Sequence, residues 1–139
     1  MTTHLSPSQW GLVYLIAVVG FLLIDGAWLM VVMKPLFTDM LGAALRPRIA
    51  IAPAAIFYLF YVGGILFFTV APVLEQGSWP SAALRGVLLG LIAYGTYDMT
   101  NLATLKSYQL SIALFDTAWG GAVTAITATI GYFAARWLS

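Results

Sequence analysis

The chain has five acidic residues, and three of them, Asp25, Asp98 and Asp116, stand inside long apolar stretches. A carboxylate at the centre of a membrane helix costs roughly 2.5–3.5 kcal/mol on insertion scales, so such residues usually face the bundle interior and do something there. The chemistry open to them is binding a cation, holding or passing a proton, or general acid–base work. Carboxylates brought close together repel one another, which favours a shared proton without deciding among these roles. Their neighbours fit a lined pocket. Tyr94, Asp98 and Asn101 follow i, i+4, i+7 spacing, with Tyr97 and Thr104 flanking that face and Lys106 just beyond it. Asp25 and Trp28 are spaced i, i+3, and Asp116 and Trp119 repeat that spacing. Each pair sets a carboxylate beside an indole, which could hold a cation by charge and cation–π attraction. Equally, the indole N–H could simply satisfy the carboxylate.

Four apolar stretches must position these residues: about 10–33, 49–74, 82–105 and 110–137. Each reaches the ~20 residues that a helix needs to cross a ~30 Å hydrocarbon core. Backbone groups in lipid must pair within their own segment, so the stretches are helices. The expected fold is an all-α membrane protein, one domain over residues 1–139, built as a four-transmembrane-helix bundle. Lys34–Arg48 is the longest connection. Within it Leu36, Phe37, Met40, Leu41, Ala44 and Leu45 fall at helical spacing, with Thr38 and Asp39 turned away. That pattern predicts a short interfacial helix between helices 1 and 2, against the alternative of an ordinary capped linker. Glu75–Pro80 reads as a turn, with Trp79 suited to the headgroup belt, and Lys106–Gln109 as a tight polar connection. Asp25 precedes Lys34 by nine residues, Asp98 precedes Lys106 by eight, and Asp116 follows Lys106 by ten. The three carboxylates therefore lie roughly 9–15 Å inside one membrane face.

Composition narrows the classes. The chain is 62% hydrophobic and 8% charged, with mean hydropathy +0.95, against about 25% charged residues in a soluble domain. So short a soluble chain could not hide that much apolar surface, and membrane lipids are its first partners. The net charge is +1 with no basic stripe, which excludes nucleic acid. The absence of cysteine removes disulfides, thiolate metal sites and cysteine nucleophiles. The one histidine, His4, sits in a polar N-terminal tail, so no metal centre and no cofactor is expected. No basic residue precedes the first stretch, which reads as a retained helix rather than a signal peptide. Lys34, Arg46, Arg48 and Lys106 on one side outnumber Arg85 and Arg136 on the other. That bias puts the first and third loops in the cytoplasm and both termini outside. Gly86 and Gly90, and Gly120, Thr124, Ala128 and Gly131, form small-residue faces for close helix contact, within one chain or in a homo-oligomer. Tyr58, Tyr61 and the phenylalanines read as core or lipid-facing.

The run Tyr97-Asp98-Met99-Thr100-Asn101-Leu102-Ala103-Thr104-Leu105-Lys106, followed by Asp116-Thr117-Ala118-Trp119-Gly120, resembles the signature of a small bacterial membrane family catalogued as domain of unknown function 2177. Asp25-Gly26-Ala27-Trp28, with a lysine nine residues after the aspartate, is similar to that family's first helix. The resemblance covers essentially the whole chain. It implies a four-helix protein of the bacterial inner membrane and brings no activity with it. The genes beside which its members lie hint at modification of membrane fatty acids.

Three readings stay open. In the first, the acidic cavity binds or transports a cation, a proton or a small solute. Discrete polar sites between helices near mid-membrane suit that role, and so short a chain would then need to act as an oligomer. In the second, the protein is a lipid-modifying enzyme or an accessory to one, with paired carboxylates as acid and base and a sideways opening between helices. In the third, the polar network only fixes the packing.

Overall fold

The computed structural model describes residues 4–139, which form helices joined by short turns and no strands. Helix α1 (Pro7–Trp28) starts where Ser6 caps it: the serine oxygen accepts from Gln9 N–H at 3.2 Å, and the Gln9 side chain accepts from Ser6 N–H at 2.8 Å. The chain continues through a π turn at Leu29–Met33 into α2 (Lys34–Leu41) and a 3-10 turn at Gly42–Ala44. Gly42, at φ 53°, ends the run in the left-handed region that glycine enters without cost. Helix α3 (Ile51–Ile65) runs into a second π turn at Leu66–Val70 and a 3-10 turn at Ala71–Val73. Helices α4 (Trp79–Thr104) and α5 (Leu110–Leu138) complete the order.

The two π turns share a cause. Each ends two residues before a proline, Pro35 and Pro72, and a proline cannot donate to the carbonyl four residues back. The ladder widens to i→i+5 pairing ahead of each: Lys34 N–H bonds Leu29 O, and Ala71 N–H bonds Leu66 O. The segment anticipated as a connection with its own short helix does hold one, α2, but it follows on from α1 through the π turn rather than standing apart. Pro72 leaves Phe68 O free, and Arg85 Nη1 donates to it at 3.4 Å. Arg85→Met should lower stability by about 0.5–1.5 kcal/mol. In a Pro72→Ala background the alanine N–H can reach that carbonyl, and the cost should shrink; thermal unfolding of the four proteins checks both.

Among the described residues three helical segments are long and apolar enough to cross a membrane: Pro7–Ala44 of 38 residues, Ile51–Val73 of 23 and Leu110–Leu138 of 29. Helix α4 matches them in length with 26 residues, but Arg85, Asp98 and its threonines and glycines make it less apolar. Outward faces carry Leu23, Val31, Ile51 and Phe60, all at least 70% exposed, as expected where the solvent is lipid.

The tightest packing joins α4 to α5 within the chain, which places the small-residue faces on each other. A Cβ on Gly86 would stand 2.8 Å from the Ala125 backbone, one on Gly90 would overlap the Gly120 carbonyl, and one on Gly120 would overlap the Tyr94 ring. Gly131 does the same against Leu66 of the second π turn, at 2.7 Å. Backbones come this close only where side chains are missing. The main core lies around Phe21, Tyr61, Ile65, Val70, Val123 and Tyr132. A second cluster joins Met33 and Met40 to Tyr108 and Ile112, so that α2 packs over the α4–α5 turn.

Candidate functional site

Asp25, Asp98 and Asp116 converge, at 5%, 0% and 6% exposure. Helix α1 brings Asp25 to α4 and α5, where its Oδ1 accepts from Trp119 Nε1 at 2.9 Å and from Tyr94 Oη at 3.1 Å. The Tyr58 hydroxyl of α3 is within hydrogen-bonding reach of the same carboxyl. On α4, Asp98 accepts from Tyr108 Oη at 2.7 Å through Oδ1 and from Thr117 Oγ1 at 3.2 Å through Oδ2. Burial first and the Asp98 partner second push the Tyr108 phenol up from its ordinary range, so this loop tyrosine stays a donor. The Asp116 carboxyl is within hydrogen-bonding reach of Asp98, a pairing that needs one proton between them. The partners of the three carboxyls are thus tyrosine, tryptophan, threonine and one another, none of them cationic.

The repeated aspartate–tryptophan spacing acquires a geometry. Helices α1 and α5 run in opposite directions, so each tryptophan reaches the other helix's aspartate. Trp119 donates to Asp25, and Trp28 has the Asp116 carboxyl within reach. The two indoles stack face to face, centroids 4.2 Å apart and planes 6° from parallel. Trp28 Nε1 is enclosed and forms no hydrogen bond of good geometry among the described residues.

These groups sit at one end of a cavity of about 360 Å³. Asp25 and Asp116 reach it from α1 and α5, with Tyr58, Tyr94 and Tyr97 beside them; its remaining walls, including Leu29, Met33, Phe37, Ala54 and Phe57, are apolar. Helix α4 meets the α3 segment chiefly at the second π turn, and Tyr61 and Tyr94 still touch at a centroid distance of 6.3 Å. Toward the start of α3 the two helices part. Phe57 on α3 and Tyr97 on α4, 55% and 50% exposed, flank that gap and mark it as the cavity's mouth.

Of the residues singled out by sequence, Asp25, Trp28, Tyr94, Tyr97 and Asp116 line the cavity. Trp119 and Asp98 back it by hydrogen bonds. Asn101 lies behind, within reach of the Tyr97 and Tyr108 hydroxyls. Thr104 and Lys106 stand apart and exposed, Thr104 bonding its own helix at Thr100 O at 2.8 Å. Sequence reasoning passed over Tyr58, Tyr108 and Thr117. A tyrosine one helical turn after Ala54, or in a polar turn, looks like packing until another helix presents a carboxyl to it. Among the described residues no group of three or more acidic, histidine or cysteine side chains is placed to hold a metal ion.

No curated protein and no solved structure matches this chain. One family does, over residues 10–133, and its description is a predicted membrane protein. The chain belongs to that family, domain of unknown function 2177.

Proposed function

We propose that the protein spans the membrane four times, with α4 as the additional span, and binds a cationic, hydrogen-donating ligand in the cavity between its helices. Support for the fourth span is the length of α4 and its backbone contact with α5. The same reading keeps both termini outside a bacterial inner membrane, on the Lys and Arg distribution. One observation carries the binding reading: two carboxyls face one cavity, and none of their hydrogen-bond partners is cationic. A carboxylate has about four acceptor positions, and the bonds from Tyr94 and Trp119 to Asp25 both fall on Oδ1. An incoming cation finds acceptors, a negative local field and aromatic faces. An anion finds repulsion. Carrying a ligand across the membrane would call for more than one copy, since so small a bundle has little room for alternating access.

The test is thermal unfolding in mild detergent with alkali cations and with alkylammonium salts, for wild type and Asp116→Asn. A ligand at about a hundredfold its Kd stabilises by about 2.7 kcal/mol. The wild-type midpoint should rise with one of these classes and the variant's should stay put. A variant that merely melts lower, beside a wild type that ignores every addition, would return the cluster to a packing role. A second reading, acid–base chemistry on a lipid, is favoured by the Asp98–Asp116 pairing and the sideways mouth.

A further inference from the structure

We infer that the ligand is an amphiphile carrying an alkylammonium head, which enters sideways from the bilayer between α3 and α4; this rests on the binding reading above and names its substrate class. The argument starts at the mouth. Around it α3 exposes Ile56 and Phe57 at 70% and 55%, and α4 exposes Tyr97 at 50% beside the half-buried Ala93. A gap framed by exposed aliphatic and aromatic side chains opens onto hydrocarbon. A molecule dissolved in the bilayer reaches it without leaving lipid, whereas a water-borne ion would have to cross that apolar rim.

The interior continues the argument. Apolar walls from Leu29, Met33, Ala54 and Phe57 lead to a polar end at Asp25 and Asp116. That gradient matches a chain followed by a head. The volume of about 360 Å³ falls near the lower end of the roughly 300–1,000 Å³ of small-molecule sites. It accommodates a head and the first part of a chain, the remainder staying in the lipid. The head must suit two carboxyls, an indole face and tyrosine rings. An ammonium group satisfies all of these by charge, by N–H donation and by cation–π attraction, while a phosphate or a free carboxylate head is repelled.

The experiment uses the full chain in neutral phosphatidylcholine vesicles, reading intrinsic tryptophan emission and the thermal midpoint. The probes are dodecylamine, dodecanol and butylamine. Dodecylamine should bind at least about tenfold more tightly than dodecanol, and Asp116→Asn should remove that difference. Ala54→Trp, which fills the wall near the mouth and leaves the carboxyls untouched, should weaken dodecylamine by about tenfold and butylamine far less. Equal binding of dodecanol and dodecylamine would mean that the chain alone is recognised, and would overturn the assignment of the head. Butylamine binding as tightly as dodecylamine would overturn entry from the bilayer while leaving a cation site standing. Failure of both amines in wild type would sink the binding reading together with this one.

Discussion

Gly90→Leu should prevent α4 and α5 from docking, at a cost of about 3 kcal/mol or more. Overpacked side chains usually cost less because they find a rotamer that escapes. Here the first added carbon already overlaps the Gly120 carbonyl and lies 2.8 Å from Gly121 Cα, so only moving a helix makes room. That movement would also drag Tyr94, which fills the space above Gly120 and donates to Asp25. The variant should therefore lose both stability and the amine-linked shift of the midpoint. Gly11→Leu is the control, since a Cβ there meets nothing within 4 Å. It should be neutral or slightly stabilising, because leucine is the better helix former. Unfolding in denaturing detergent measures both, and comparable losses at the two glycines would mean that the helices do not touch where described.

Asp98→Ala should be the second large effect, about 2–3 kcal/mol. It leaves the Tyr108 hydroxyl, in a side chain only 5% exposed, and the Thr117 hydroxyl without their acceptor. Tyr108→Phe alone should cost about 1 kcal/mol. Combined, the two should cost less than their sum by at least about 0.5 kcal/mol, since each removes the same bond. Strict additivity would show that the 2.7 Å contact contributes nothing.

How much could be read from residues alone depends on how far apart the causes lie. The apolar stretches announce helices because length and hydropathy are local, and α1 with its π turn, α3 with the two turns that prolong it, α4 and α5 follow them within a few residues. The buried aspartates are legible for the same reason: their cost in lipid is a property of position. Lys34–Leu41 is less legible. Sequence rules treat Pro35 as a stop, but a π turn can absorb a proline when the following residues have something to pack on, and Met40 has Tyr108 and Ile112. Thr104 shows the limit of spacing arguments. It lies six residues after Asp98, about 240° around the helix, and so leaves the face that Tyr94 and Asn101 share with it. Tyr58, Tyr108 and Thr117 are partners defined wholly by tertiary approach. No pattern within their own segments marks them.

The stacked indoles of Trp28 and Trp119 have an optical consequence. Two aromatic transitions held 4.2 Å apart and nearly parallel couple as excitons, and a chiral bundle turns that coupling into a paired positive and negative band in circular dichroism. The pair is contributed by opposite ends of the chain, so the band appears only once α1 has met α5. It reports, without any label, the moment at which the two aspartates come to share a cavity, and a guest that pries the rings apart should dim it.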